Sequence, residues 1–133
     1  MVDAAVADTH ALVMHFGARS ALGAKAAAHF RAAENGTALV YVPVAVVWEV
    51  ALLARAGRVN LRRSPATFFS ELFLNPSYQP FDLSLEQVFA ADAARLNRDP
   101  FDALIVAAAQ VLGLPLMTRD TDIVTSKMVK VIW

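Results

Sequence analysis

A chain of 133 residues makes one domain large enough for a real core, and its zero net charge, with a pI near 6.8, gives no global mark of a nucleic-acid binder; any such role must be local. With no cysteine there is neither a disulfide framework nor thiolate chemistry, which fits a reducing cytoplasm. The hydrophobic share of 57%, much of it alanine and valine, points to a well-buried sheet plus apolar surface reserved for a partner or a second copy.

The chain opens on a short apolar strand at 2–7, and Asp8 stands where it ends. No basic region followed by an apolar core precedes it, so a signal peptide is not expected. Residues 9–16 form a short helix closed by Gly17, and 20–34 form a second. The second places Leu22, Ala26, Phe30 and Ala33 on one face, with Asn35 and Gly36 as its stop. A β-branched strand at 37–42 runs to Pro43, and a helix at 44–56 runs to Gly57. The longest apolar run, 38–48, is too short to cross a bilayer and ends at Glu49, so a soluble protein without membrane contact is expected.

An arginine-rich loop (Arg58, Arg62, Arg63) leads to Ser64 and Pro65, a cap followed by a first-turn proline. The helix they open runs to residue 74 and carries Phe68, Phe69, Leu72 and Phe73 on one side. After the Asn75-Pro76 break, 78–83 supplies a third strand, and a Ser84/Gln87 capping box opens a helix at 84–96. Asp99 then caps a helix that is apolar almost all round, with Pro100 first, Asp102 third and Gly113 as its stop. Residues 114–118 form a fourth strand ending in Arg119 and Asp120, and 129–132 a fifth. Strands alternating with helices over one domain length, 1–133, predict an α/β fold with a parallel, doubly wound sheet of four to five strands.

Asp8 and Asp120 follow the carboxyl ends of strands, the edge where open parallel sheets bind ligands, and Asp102 opens a helix whose N-terminus points to that edge. Glu49 has Ala45, Val46, Leu52 and Leu53 as its helical neighbours, so no local salt bridge neutralises it. Singly, an aspartate after a strand is more often a turn former or cap than a ligand. Jointly, four acids on one edge repel strongly unless a divalent cation such as Mg²⁺ or Mn²⁺ reverses the balance. Asp99 is a cap first and a helper to the metal second. Thr118, two before Asp120, is placed to hydrogen-bond in the site, and His10 lies near Asp8. Asp122 is as consistent with a solvated turn as with the cluster. The three histidines are not at ligand spacing, which argues against a histidine-zinc site.

Four blocks in order over nearly the whole chain resemble a PIN domain of the VapC-type toxin branch. They are Asp8-Thr9-His10-Ala11-Leu12, Trp48-Glu49-Val50-Ala51, Arg98-Asp99-Pro100-Phe101-Asp102 with the apolar stretch behind it, and 114–120; Val131-Ile132-Trp133 is also similar to that branch. The resemblance implies a three-layer α/β/α sandwich and a Mg²⁺-dependent ribonuclease, with Mn²⁺ as a substitute and Asp8, Glu49, Asp102 and Asp120 as the acidic quartet. Asp99 is a further candidate ligand, and Thr9 and Thr118 are supporting residues. It further implies a homodimer and inhibition by a cognate antitoxin encoded alongside. One departure is Leu12-Val13-Met14, where relatives often carry an aromatic; this touches packing more than chemistry.

On this reading an RNA phosphodiester is hydrolysed by in-line attack of a metal-activated water. Arg55, Arg58, Arg62, Arg63, Arg98 and Arg119 are candidate phosphate contacts, each weighed against an ordinary surface charge. The aromatic helix at 68–74, with the Glu49 helix before it, is a candidate groove for an antitoxin segment. A haloacid-dehalogenase phosphatase wants a second aspartate where His10 stands, and a receiver domain wants paired acids after the first strand. The remaining rivals are a PIN nuclease of RNA maturation without an antitoxin, and a catalytically idle PIN module that only binds a partner.

Overall fold

Five short strands, all parallel, form the middle layer of the computed structural model, which describes residues 3–133. They are β1 (Asp3–Ala7), β2 (Ala38–Pro43), β3 (Tyr78–Phe81), β4 (Leu116–Met117) and β5 (Val131–Ile132), in the order β3-β2-β1-β4-β5. Val2, the expected start of the first strand, lies outside the described residues. Parallel neighbours need crossovers, and helices supply them. Helices α1 (Thr9–Gly17) and α2 (Ala24–Glu34) join β1 to β2, while α3 (Val44–Arg55) and α4 (Pro65–Leu72) join β2 to β3. Helices α5 (Leu85–Ala94) and α6 (Pro100–Leu112) join β3 to β4, and α7 (Thr121–Ser126) joins β4 to β5. The fold is therefore α/β, as expected, with an all-parallel sheet of five strands.

The chain moves outward from β1 to β3, then returns to the other side of β1 to lay down β4. That reversal makes a switch point between β1 and β4, and the carboxyl ends of strands at such a point are where open parallel sheets bind ligands. Ala5, Val6, Ala7, Val40, Val42, Leu116 and Met117 are fully buried, because helices cover both faces of a parallel sheet. Leu12, Phe30, Val46, Val50, Ile105, Val106 and Ile123 close over them from the helices.

Several element ends differ from expectation, each for a local reason. The helix expected at 20–34 begins at Ala24, preceded by a single 3₁₀ turn at Arg19–Ala21, so Leu22 packs on the core from outside the helix. Its entrance is set by Trp133, whose backbone carbonyl accepts from the N–H groups of Lys25 (2.8 Å) and Ala26 (2.9 Å). The carbonyl takes the place of a side-chain cap, which Gly23 cannot offer. The helix opened by Ser64 stops at Leu72 rather than 74. The one opened by Ser84 stops at Ala94, because Arg95 turns left-handed (φ 50°). Only half of the Ser84/Gln87 box forms: Ser84 Oγ accepts from the Gln87 N–H (3.2 Å), but the Gln87 amide donates to the Asp82 carbonyl (2.7 Å). Helix α7 was not foreseen; six residues are too few to show a periodic apolar face.

A partly buried polar contact fixes the far end of α1. Glu34 Oε1 lies 2.9 Å from His15 Nε2 and accepts from the Tyr78 hydroxyl at 2.8 Å, while the His15 ring stacks on Phe30 at 4.1 Å. This contact ties α1, α2 and the edge strand β3 together and so holds the helix that starts at Asp8.

The tight seat of Trp133 on α2 generates a prediction. A Cβ on Gly23 would lie 2.4 Å from both the Trp133 carbonyl carbon and its oxygen, and 2.6 Å from Cδ1 of the indole. Gly23→Ala is expected to destabilise the domain by about 1–3 kcal/mol through overpacking, seen as a lower urea midpoint at unchanged slope. An unchanged midpoint would show that the carbonyl does not sit at the helix entrance.

Candidate active site

Three aspartates at the carboxyl edge are helix caps. Asp8 Oδ1 accepts from the Ala11 N–H at the start of α1 (2.8 Å), and Asp120 Oδ1 accepts from the Ile123 N–H at the start of α7 (3.0 Å). Asp99 Oδ1 accepts from the N–H groups of Phe101 (2.9 Å) and Asp102 (3.4 Å) at the start of α6. Asp102 lies in that same first turn. Positive helix ends thus underlie the acids and offset part of their repulsion. In each cap one carboxylate oxygen is committed to the helix and the other is left for further contacts.

The sheet brings the acids together. The Asp8 N–H donates to the Met117 carbonyl (3.2 Å), which sets the end of β1 beside the end of β4. Thr118, fully buried, stands between the two ends: its Oγ1 accepts from the Asp120 N–H at 3.1 Å, and its hydroxyl is near enough to the Asp8 carboxylate to favour the ionised form. Glu49 enters from α3, half-buried, and its Oε1 accepts a hydrogen bond from the hydroxyl of buried Thr9. The apolar frame of Glu49 thus contains one neutral donor, supplied from forty residues away in the chain.

Asn97 was not anticipated. Its Oδ1 accepts from the Asp99 N–H (2.9 Å), while its amide donates to Asp102 Oδ2 (3.1 Å) and Asp122 Oδ2 (3.3 Å). The only sequence signal was an asparagine two residues before a helix cap, a spacing that favours an Asx turn. Asp122 itself is exposed.

Burial raises the pKa of Asp8, against the hydrogen bonds from Thr118 and Ala11 and the charge of His10; the charge of Asp120 adds to the rise. Asp102 is pushed up to about 6, first by burial and then by the charges of Asp99, Asp120 and Glu49, with the Asn97 amide opposing. Asp102 is therefore within the electrostatic reach of Asp99, Asp120 and Glu49, and Asp8 within that of Asp120. Among the described residues the ion pairs are His15–Glu34 and Arg63–Glu71, so no lysine or arginine neutralises these acids.

Such a set, all hard oxygen donors with uncompensated negative charge, fits a divalent cation of the Mg²⁺ or Mn²⁺ kind. Among the described residues no three carboxylate or imidazole groups stand close enough to enclose an ion directly. The fit is thus to a cation that keeps several of its waters and takes one or two carboxylates directly.

The histidines lie apart: His10 is exposed, His15 is bound to Glu34, and His29 to the Leu39 carbonyl (2.8 Å). Arg98 and Arg119 are exposed beside Asp99 and Asp120. Arg62 and Arg63 lie elsewhere, along a cavity of about 580 Å³ floored by Leu12, Phe16, Val50 and Phe68, and Arg63 is already paired with Glu71 (2.6 Å).

A family model described as the PIN domain matches residues 5–126. No curated protein matches the chain. A toxin–antitoxin complex from Klebsiella pneumoniae contains a similar chain, with 20% identity, TM-score 0.64 and coverage of 97% of this chain and 96% of that one. VapBC2 from Rickettsia felis, bound to a promoter DNA fragment, is similar at 14% identity and TM-score 0.69, covering 97% of each chain. FitAcB from Neisseria gonorrhoeae is similar at 19% identity and TM-score 0.59, covering 96% of each. At these identities the likeness is one of fold.

Because the Asp102 carboxyl is held up to about 6 in the folded chain, its contribution makes metal-free stability fall as pH rises from about 4 to about 6, and the full penalty is present above that range. Asp102→Asn removes the penalty and keeps an acceptor for Asn97. In EDTA near pH 7.5 the variant is expected to melt a few degrees above wild type, at about 3–5 °C per kcal/mol for this size, with the gap closing towards about pH 4. Thermal melts across pH check this. A variant that melts lower at about pH 7.5 would contradict the repulsion.

Proposed function

This chain belongs to the PIN domain family, and from that premise we propose that it is a Mg²⁺-dependent endoribonuclease, with Mn²⁺ as a substitute, acting as the toxin of a toxin–antitoxin pair. The observation that carries the reading is the gathering of Asp8 and Asp120 at the switch point between β1 and β4, each capping a helix with one carboxylate oxygen and neither ion-paired to a lysine or arginine among the described residues, with burial and neighbouring acids raising the pKa of Asp102 beside them.

In this proposal the catalytic acids are Asp8, Glu49, Asp102 and Asp120. Asp8 and Asp120 are the nearest ligands, through the oxygens not committed to their helices. Asp102 and Glu49 act mainly through water, and Asp99 remains chiefly a cap. When bound, the cation would lower the pKa of a water, orient it and offset charge building on the phosphate. The chain's own part is positional. Thr118 locks Asp8 and Asp120 at one spacing, Thr9 aims Glu49, and Asn97 fixes Asp102. Burial of Asp8 and Asp102 keeps bulk water from screening their charge.

Two surfaces support the proposed partners. The cavity beside α1 begins at Leu12, one helical turn from Asp8, so a basic side chain on an antitoxin segment lying there would reach the acids. A second copy is assigned to the apolar face at the carboxyl ends of β2 and β3. Register pairs Pro43 with Phe81 at the last rung of β2 and β3, and in the chain just beyond those two ends Val44, Trp48, Leu83, Leu85 and Phe89 are exposed, Trp48 at 51%, Leu85 at 74% and Phe89 at 67%. No helix is long and apolar enough to cross a membrane, and a cytoplasmic site of action is part of the proposal.

The test is RNA cleavage with Mg²⁺, Mn²⁺ or EDTA. Wild type is expected to cut only with metal, and Asp8→Asn or Asp120→Asn to lose at least about 100-fold in kcat/KM, the scale set by removing a ligand or its support. Cleavage in EDTA, or full activity in either variant, would reject the mechanism.

A further inference from the structure

Arg119 lies between two residues already assigned to the site, yet neither its charge nor its contacts are explained by the acids. Its guanidinium sits 5.9 Å from the centre of the Trp133 ring, within cation–π range. It is exposed and belongs to no ion pair among the described residues, although Asp120 is its chain neighbour. The ring is itself fixed. The Trp133 carbonyl receives two N–H donors of α2, and the indole lies against Gly23, where even a Cβ would not fit. An arginine resting on an aromatic face has its N–H donors free and its charge uncompensated, whereas one bound to a carboxylate has both already engaged.

Strand order gives the placement. Asp8 follows β1, Arg119 follows β4 and Trp133 follows β5, and the Thr118 N–H donates to the Ile132 carbonyl (3.3 Å). A guanidinium drawn to Trp133 therefore lies up to two strand spacings from Asp8, about 10 Å. That is too far to grip the phosphate facing the acids, and suits a backbone phosphate further along the same strand.

The geometry points to Arg119, held by Trp133, as the contact for a phosphate flanking the scissile one, so that the site engages a single-stranded RNA segment and not one isolated phosphodiester. The assignment rests on RNA being the substrate. Unlike base readout, such a contact is indifferent to sequence and depends on salt.

The experiment is fluorescence anisotropy of a labelled single-stranded RNA of about eight nucleotides, with Ca²⁺ in place of Mg²⁺, at several salt concentrations. Arg119→Gln is expected to weaken binding about 3–10-fold at low salt and to reduce the magnitude of the slope of log K against log salt by about 0.7. Arg119→Lys keeps the slope. Trp133→Leu weakens binding with the slope kept, and adds nothing to Arg119→Gln; melts of each variant report folding separately. In cleavage assays the loss for Arg119→Gln falls on KM and not on kcat. An unchanged slope in Arg119→Gln overturns the assignment. Should wild type bind RNA with the expected slope difference yet cut none in Mg²⁺, the phosphate contact stands and the nuclease reading falls. Should wild type bind no RNA, both fall.

Discussion

Carboxylates that repel one another are held at one edge of the sheet because the fold gives each of them a second task. Asp8, Asp99 and Asp120 each satisfy the N–H groups at the start of a helix, so moving any one away from the cluster would uncap α1, α6 or α7. An N-cap contributes on the order of 1 kcal/mol, and three together withstand a good part of the repulsion without an ion pair to lysine or arginine among the described residues. Burial first, and then the remaining repulsion, hold the Asp102 carboxyl well above its ordinary range. On the proposed reading, that loss of stability is exchanged for a site that favours a divalent cation.

The rest of the molecule follows from keeping those helix ends in place. Two alanines and a valine close β1, so α1 leaves the sheet directly from Asp8, and the His15–Glu34–Tyr78 contact anchors the helix two turns further on. Ala107, Ala108 and Ala109 let α6 lie close to the sheet, and Gly113 (φ 67°) turns the chain straight into β4. Trp133, just beyond β5, sets the start of α2, and its ring lies 5.9 Å from the Arg119 guanidinium.

Much of this was legible in the sequence because the signals were local. Asp99, Pro100 and Gly113 mark the two ends of α6 by cap, first-turn proline and left-handed stop, and the β-branched run before Pro43 marks β2. The acids were visible through their surroundings: Glu49 stands in an apolar frame, and Asp8 and Asp120 stand at strand ends. Contacts between distant residues were not legible. Nothing near Thr9 signals that its hydroxyl reaches Glu49, and nothing near Gly23 signals that a carbonyl 110 positions away caps its helix. Asn97 escaped because its importance lies in orientation, one amide reaching two aspartates and its oxygen setting a third. Helix α7 is hard to see in the sequence because its cap, Asp120, stands at the end of a strand, where an acid reads equally well as a candidate ligand.

The claim beneath all of this is that the cluster takes up one kind of ion at one place. Titration of Mn²⁺ followed by electron paramagnetic resonance, which counts free against bound ion, tests it without reference to any substrate. The account predicts saturable binding to the wild-type chain, competed by Mg²⁺ and lost when Asp8 or Asp120 becomes asparagine. Equal binding by wild type and both variants, or none by any of them, would contradict it.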